Sequence, residues 1–245
     1  MIAIYIQRIR YQDYKYEFTK PNGKEFKTNL HILGKVIRRM HQGFSPIIMV
    51  CGGQRMGKSF VTIWLSNLIM HFFHSRDYPV KTNTFYDPIE SIKIITTSDQ
   101  QPIVIDEAGA FLNKTEWYDR VVKAMDKIIQ TQGYKSNCYI FISPFGSDIA
   151  KTFRKHFDFQ IYVRKKGIVV VRQIPKKYDS FKDIPVKPFR LEQIRIMKSN
   201  LKPELWEEYE KFSFAMKDKI AKEQYAKGKG QKKDYFGRSM GVVTL

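Results

Sequence analysis

Residues 46–59 have the sequence PIIMVCGGQRMGKS and carry the clearest fold signal in the chain. The run from Pro46 to Cys51 is apolar throughout, which predicts a strand buried on both faces, as in a parallel sheet. Two glycines end this run, and a helical pattern begins at Lys58. Strand, glycine-rich turn and helix therefore follow one another, an order that is typical of the start of a nucleotide-binding core.

The turn itself matches the phosphate-binding pattern G-x-x-x-x-G-K-[ST], formed here by Gly52, Gly53, Gln54, Arg55, Met56, Gly57, Lys58 and Ser59. Glycines let the backbone turn its amide groups toward phosphate oxygens, and the helix N-terminus adds partial positive charge. Lys58 is predicted to reach the β- and γ-phosphates, and the Ser59 hydroxyl to ligate Mg²⁺. ATP and Mg²⁺ are therefore the predicted cofactors. An accidental glycine-rich turn is the alternative, and the strand and helix around the motif disfavour it.

A second element lies downstream, where the apolar strand Ile103–Ile105 is followed by Asp106 and Glu107. Asp106 is predicted to hold the hydration shell of Mg²⁺, and Glu107 to orient and polarise the attacking water. A surface acidic pair is the alternative, but it would not end so apolar a strand. The loop and the pair together predict an Mg²⁺-dependent ATPase with Lys58 and Glu107 as catalytic residues.

Strands and helices alternate along much of the chain. Residues 1–28 alternate apolar and polar around a Pro21-Asn22-Gly23 turn, which predicts a small β element. Strands are expected at 46–51, 80–86, 102–106 and 138–143, helices at 30–40, 58–74, 116–132 and 147–156, and a hairpin at 159–164 and 168–173. After Pro175 we expect a crossover segment, a helix opening at Pro203, and a solvated basic tail past Tyr225.

This pattern predicts an α/β fold with a largely parallel sheet flanked by helices. We divide the chain into an N-terminal β hairpin and helix at 1–44, a P-loop ATPase core at 45–175, and a C-terminal helical extension with a basic tail at 176–245.

Five stretches together resemble a known group: the phosphate loop, Asp-Glu-Ala-Gly at 106–109, the segment 130–134, the strand at 139–144 and the basic segment 153–158. They are similar to the FtsK–HerA class of P-loop ATPases, over about half of the chain. Within that class, the compact form is similar to the small ATPases of archaeal viruses and plasmids, and to Zot-like phage assembly ATPases.

The resemblance implies an oligomeric ring, usually a hexamer, that moves double-stranded DNA through a central channel. Members often carry a polar sensor, commonly Gln, at the end of the strand after the acidic pair. In this chain that strand ends at Ser143, which is the candidate sensor. An arginine from the neighbouring subunit commonly completes the site in such rings. Arg154 is the first candidate and Arg120 the second, and the alternative for each is a solvated helix face.

The charge of the chain points to a polyanionic partner. It has 43 Lys and Arg residues against 24 Asp and Glu, a net charge of +19. Such a field attracts nucleic acid or an acidic membrane surface. The basic residues form clusters: Lys35, Arg38 and Arg39; Lys151, Arg154 and Lys155; Arg164, Lys165 and Lys166; and the stretch 217–238. Together they predict contact with DNA without reading of its sequence, although each cluster alone is typical of a solvated surface.

The chain is expected to be cytoplasmic, in the host cytoplasm or associated with the virion if it is viral. Two cysteines, Cys51 and Cys138, build no disulfide framework in a chain of 245 residues. The most apolar stretch, Phe60–Phe73, is shorter than the roughly 20 residues that span a bilayer, so no membrane segment is expected.

The leading hypothesis is ATP hydrolysis coupled to DNA translocation, most concretely packaging of a genome by a ring that also contacts capsid or assembly proteins. One alternative is a Zot-like assembly or secretion ATPase that acts on protein. Another is a nucleotide-gated DNA-binding switch with little turnover. Glu107 disfavours the switch, because a switch needs no carboxylate that polarises water.

Overall fold

A computed structural model of the chain describes residues 16–108, 116–149, 151–175 and 189–237. The first described element is an antiparallel hairpin of β1, Tyr16–Thr19, and β2, Glu25–Thr28. Gly23 adopts a φ of 78° in its turn, a left-handed conformation that glycine tolerates. The small β element expected at the N-terminus is confirmed for residues 16–28, and residues 1–15 lie outside the described part.

Seven further strands form one sheet in the order β4-β5-β6-β3-β7-β8-β9. They are β3, Ile47–Gly52; β4, Thr84–Phe85; β5, Pro102–Ile105; β6, Cys138–Ser143; β7, Phe159–Lys165; β8, Ile168–Gln173; and β9, Phe189–Arg195. The first five strands of this order are mutually parallel, whereas β8 runs antiparallel to both β7 and β9. The predicted largely parallel sheet is confirmed.

The helices that flank this sheet are α1, His31–His41; α2, Lys58–His74; α3, Val80–Asn83; α4, Pro88–Thr97; α5, Glu116–Thr131; and α6, Lys151–Arg154. A last helix, α7, Pro203–Gly237, follows later in the chain. One core cluster joins Met49, Ile105 and Phe141 of the sheet to side chains from α4, α5 and α6, such as Ile95 and Met125. Since neighbouring strand residues point to opposite faces, Ile48 and Val50 belong to the other face, and α2 contacts β3, β5 and β6.

A carboxylate from the far end of the sheet holds the start of α1. The two oxygens of Glu192, in β9, accept hydrogen bonds from the backbone N–H groups of His31 at 3.1 Å and Ile32 at 2.6 Å. These N–H groups have no partner within the helix, and a negative charge favours a helix N-terminus. Glu192 therefore ties the N-terminal elements to the last strand of the sheet.

Two local expectations are wrong. Residues 80–83 form the short helix α3 rather than the start of a strand, because Pro79 begins a turn in which its carbonyl accepts the N–H of Asn83. The helix expected at 147–156 is limited to the single turn α6. Asp148 accepts the N–H of Phe145 and so stabilises a 3-10 turn at Gly146–Asp148 instead.

The C-terminal part also differs from expectation. Strand β9 lies where a crossover without regular structure was expected, and its register shift against β8 explains why clean alternation is missing. Helix α7 extends to Gly237, beyond the predicted limit near Tyr225. The lysines and glutamine there are good helix formers. None of the described helices is long and apolar enough to cross a bilayer.

The chain divides into two compact units between residues 206 and 207. The first contains the hairpin, the sheet and helices α1 to α6, and the second contains α7 from Glu207 onward. The domain boundaries proposed from sequence at 44 and 175 stay predictions.

Candidate nucleotide-binding site

The phosphate loop lies between the end of β3 and the start of α2, at the carboxyl edge of the parallel strands. Gly57 precedes the helix with a φ of 91°, and Arg55 has a φ of 56°. A non-glycine residue in this left-handed region is strained by roughly 1–2 kcal/mol. Two left-handed residues within three positions give the loop a sharply turned backbone, as a cradle for phosphate requires.

Gly52 is fixed by its neighbours on both sides. Its N–H donates to the carbonyl of Pro144 at 3.1 Å, in the segment that follows β6. A Cβ atom at this position would lie 2.6 Å from the carbonyl oxygen of Val163 in β7. The φ of 150° is also rare for other residues. Only glycine therefore fits where the loop leaves the sheet between two neighbouring strands.

The ammonium group of Lys58 lies across the loop. It donates to the carbonyl oxygens of Gly52 and Gly53, both at 2.9 Å. Ser59 follows in the first turn of α2 and is partly exposed. Carbonyl oxygens are weaker partners for an ammonium than phosphate oxygens, because charge-assisted bonds to anions are stronger. A bound triphosphate would therefore compete for the same side chain at the position that the motif predicts.

The acidic pair follows β5 at this same edge, with β6 between it and β3. Asp106 is 2% exposed, and its backbone N–H donates to Phe85 at 2.8 Å. Its carboxylate accepts the N–H of Glu107 at 2.9 Å. Glu107 is half-buried and has a φ of 56°. The strained conformation of Glu107 is the kind of backbone outlier that clusters at functional sites.

Asp106 and Ser59 have the chemistry of a magnesium site. Mg²⁺ prefers hard oxygen ligands and commonly binds one or two carboxylates together with phosphate oxygens and water. A buried carboxylate and a helix-start hydroxyl supply that kind of oxygen on two elements that end or begin at the carboxyl edge. The residues present therefore fit the ion.

Ser143 ends β6 between the two motifs and is fully buried. Its hydroxyl lies 2.9 Å from the carbonyl of Phe145 and 3.2 Å from the carboxylate of Asp148, so it donates within its own loop. To sense a γ-phosphate, this hydroxyl must leave those partners. Asp148 was missed in the sequence, although Asp in a Ser-Pro-Phe-Gly-Ser-Asp segment is typical of turns that bond their own backbone.

The two candidate arginines lie on different helices. Arg154 is in α6 and half-buried, and its Nε is buried without a hydrogen-bond partner among the described residues. Its carbonyl accepts the N–H of Phe157 at 3.3 Å, shortly before Asp158, which bonds to Ile47 at the amino end of β3. Arg154 thus lies toward the edge opposite the phosphate loop of its own subunit. Arg120 belongs to α5, and its side chain lies outside the described part.

Two arginines of the first predicted basic cluster have structural partners. Arg39 forms an ion pair with the buried Asp158 at 3.2 Å, and the guanidinium of Arg38 lies 5.3 Å from the ring centre of Tyr16. Asp158 also accepts the N–H of Ile47 at 2.9 Å. The contacts of Asp158 anchor the amino end of β3, and Arg38 packs on Tyr16 of β1, so Arg38 and Arg39 contribute to the fold.

Two hydrogen bonds that the sequence did not predict connect β3 to the neighbouring strands β7 and β8. The amide of Gln160 donates to the Cys51 sulfur at 3.4 Å, and Arg172 donates to the Gln160 oxygen at 3.2 Å. Burial raises the pKa of the Cys51 thiol, which favours its neutral form. The signal was present in the alternation of residues 159–164, where Gln160, Tyr162 and Arg164 share one face.

No family model and no curated protein matches the sequence. Among solved structures, the chain is similar to the N-terminal domain of zonular occludens toxin from Neisseria meningitidis, with a TM-score of 0.41 and 9% identity over 64% of this chain and 97% of that chain.

It is also similar to B204, the DNA-packaging ATPase from Sulfolobus turreted icosahedral virus, with a TM-score of 0.40 and 13% identity over 54% of this chain and 93% of that one. The genome packaging NTPase B204 from Sulfolobus turreted icosahedral virus 2, in complex with AMPPCP, gives a TM-score of 0.37 and 13% identity over 53% and 92%. The two groups named by the sequence resemblance are thus both represented. Likeness at this level concerns the fold and not the substrate.

Proposed function

We propose that the protein is an Mg²⁺-dependent ATPase that couples hydrolysis to movement of DNA, in its most concrete form the packaging of a viral genome by a ring of subunits. The observation that carries the proposal is the placement of the phosphate loop and the pair Asp106–Glu107 at one edge of one sheet. Ligands bind parallel α/β sheets at this edge, beyond the carboxyl ends of the strands.

Each part has one role in hydrolysis. Backbone N–H groups of the loop and the start of α2 hold the phosphates, and Lys58 turns from its carbonyl partners to the β- and γ-phosphates. Ser59 and Asp106 would hold Mg²⁺, which would supply positive charge to the phosphate oxygens. Glu107 orients the attacking water and accepts its proton.

The DNA partner is proposed from the charge of the chain, and the ring of subunits from the chemistry of hydrolysis. A net charge of +19 favours a polyanion, and non-specific DNA binding arises from such charge. A further cation near the developing charge, beyond Lys58 and Mg²⁺, accelerates hydrolysis in many such enzymes. Arg154 lies away from its own phosphate loop, which favours a role toward a neighbouring subunit. The ring and the trans arginine are both parts of this proposal.

The test is the steady-state ATPase rate of the full chain with and without double-stranded DNA. We expect Lys58→Ala to lose nucleotide binding and turnover. We expect Glu107→Gln to keep ATP bound while its turnover falls about 10²–10⁴-fold, the usual contribution of a general base. Glu90→Gln changes an exposed carboxylate in α4 in the same way and should match the wild type.

Two other outcomes would replace the proposal. Turnover that depends on Glu107 but not on DNA would favour the assembly ATPase that acts on protein. A slow rate that Glu107→Gln leaves unchanged would favour the nucleotide-gated switch, because a switch holds ATP without activating water.

A further inference from the structure

One face of strands β7, β8 and β9 is basic and partly exposed, with Val170 buried at its centre. Cross-strand partners point to the same side of a sheet, so the pairing register assigns its members. They form three rows across the strands: Lys165, Ile168 and Arg195; Tyr162, Val170 and Gln193; and Gln160, Arg172 and Arg190. We call these nine residues the basic face. The opposite face carries Ile161, Val171 and Ile194, which are buried.

The basic face has four cations and no acid. Lys165, Arg190 and Arg195 are exposed, Arg172 is partly exposed, and Tyr162 is 38% exposed. Glu192 is the acidic residue of β9, but it pairs with Val171 on the opposite face and bonds to the start of α1. Within the described ranges, no carboxylate forms an ion pair with these four cations. Their charge is therefore available to an external anion.

Neutral side chains position the two cations of the third row. Arg190 donates to Gln193 at 2.6 Å, and Arg172 donates to Gln160 at 3.2 Å. The Arg172 guanidinium also lies 5.8 Å from the ring centre of Tyr162. Hydrogen bonds to neutral amides fix the direction of a guanidinium without neutralising it, and donors of both groups remain for phosphate.

The spacing of the rows fits a double helix. The two basic rows are four residues apart along β8, a separation of roughly 14 Å at ~3.4 Å per residue. The major groove of B-DNA is about 12 Å wide. The rows can therefore lie against the two phosphate backbones that border one groove, with the neutral row between them. Arg172 already covers the ring of Tyr162, which favours backbone contact over base stacking.

The basic face is also connected to the nucleotide site. Tyr162 pairs with Cys51 and Val163 with Gly52, so β7 runs directly beside the start of the phosphate loop. Gln160 bonds both to Cys51 and to Arg172. One side chain, Gln160, thus lies between Cys51 near the end of β3 and a cation of the basic face.

We propose that the basic face binds the sugar-phosphate backbones of duplex DNA. The inference deepens the proposed function, on which it rests for the kind of partner. It assigns the contact to strands β7 to β9. Of the basic residues that the sequence also offered, Arg39 is paired with the carboxylate of Asp158.

The experiment measures binding of the full chain to a fluorescent 30-base-pair duplex of mixed sequence, by anisotropy over a range of salt concentrations. Each lost phosphate contact lowers the slope of log K against log salt by about 0.9. The double variant Arg190→Gln/Arg195→Gln should therefore lower the slope by about 1.8 and weaken binding roughly 10–100-fold at 0.1 M salt.

A matched control removes two exposed cations elsewhere. Arg76→Gln/Lys93→Gln lowers the net charge equally, at positions outside the sheet, and should leave the slope unchanged. Binding of a fluorescent ATP analogue should be the same in both double variants. The ATPase rate of the same preparations separates the two proposals, because a chain that binds DNA here but hydrolyses no ATP overturns only the proposed function.

Three results would overturn the inference. The first is equal salt slopes in the two double variants. The second is binding of a 30-nucleotide single strand as tight as that of the duplex, since the two-row arrangement requires two backbones. The third is loss of self-association in Arg190→Gln/Arg195→Gln with DNA binding intact, measured by sedimentation, which would make this face an interface between copies.

Discussion

Gly52 shows how closely the nucleotide site is built into the sheet. This residue ends β3, and its backbone contacts the segment after β6 on one side and β7 on the other. The motif predicts a glycine here because phosphate needs a close approach of the backbone. The structure adds a second reason, since the carbonyl of Val163 leaves no room for a Cβ atom.

Replacing Gly52 with Ala is expected to affect both stability and nucleotide binding. The new Cβ would lie 2.6 Å from a backbone oxygen in a conformation that disfavours alanine, so we expect a loss of about 1–3 kcal/mol and much weaker ATP binding. Urea denaturation and nucleotide titration measure the two effects. Gly133→Ala is the control, because a Cβ atom there would meet nothing within 4 Å beyond its chain neighbours. Equal stabilities of the two variants would contradict the prediction.

At the residue scale, the sequence could predict the motif residues but not their partners. Lys58, Ser59, Asp106 and Glu107 belong to local patterns whose chemistry is known. The bonds from Ser143 to Asp148 and from Gln160 to Cys51 depend on which strands become neighbours. The alternation of residues 159–164 predicts which side chains share a face, but no local pattern tells which strands lie beside them.

Among the elements, α2 is joined to the segment before α7 by a small charged cluster. Asp77 accepts hydrogen bonds from His71 and Lys202, each at 2.7 Å. Burial alone raises the pKa of Asp77, but the bonds and charges of Lys202 and His71 outweigh it and lower the pKa. All three side chains are more than a third exposed, so solvent weakens the cluster.

The contribution of Asp77 should depend on pH. A carboxyl whose pKa is lowered by folding stabilises the protein above its unfolded pKa, about 3.9, and this stabilisation is lost as pH falls through the folded pKa. A double-mutant cycle of Asp77→Asn and Lys202→Met should therefore give a coupling of about 0.2–1 kcal/mol at pH 7 that decreases below about pH 4. Coupling that stays constant down to pH 2 would disprove this account.

Element types were predictable where local pattern and tertiary context agree. Helix α2 begins and ends where the sequence indicates, and strand β3 is shifted by one residue from the expected 46–51. The predicted strand at 80–86 was wrong in its first half, since turn bonds at Pro79 override the apolar pattern. Strand β9 was missed because its pairing with β8 is shifted by a bulge.

The protein is proposed to hydrolyse ATP as a ring of subunits. The dependence of the ATPase rate on protein concentration tests this proposal. If a neighbouring subunit supplies Arg154, turnover per subunit should rise cooperatively with protein concentration. Arg154→Ala should then lower the rate about 10²-fold or more without weakening ATP binding, because the arginine acts on the transition state. Arg76→Ala, at an exposed position, is the control. A rate per subunit that is independent of concentration would exclude a site shared between subunits.

At this scale, composition predicted a polyanionic partner but not the surface that meets it. The net charge is a property of the chain, whereas the basic face exists because three strands align their rows. Lys165, from the predicted cluster at 164–166, belongs to the basic face. Arg172, Arg190 and Arg195 were in none of the predicted clusters. Charge patterns in sequence cannot reveal which distant residues share a sheet face.

The two ends of the sheet protect the protein against growth into fibres. Among the described strands, β4 and β9 are the outer ones. β4 has only two residues, and β9 carries Arg190 and Arg195. A short strand offers few unpaired backbone groups to an added strand. The positive charges of β9 repel the same charges on a second copy. Crowded copies, as in a concentrated stock, are therefore kept from joining edge to edge and from aggregating.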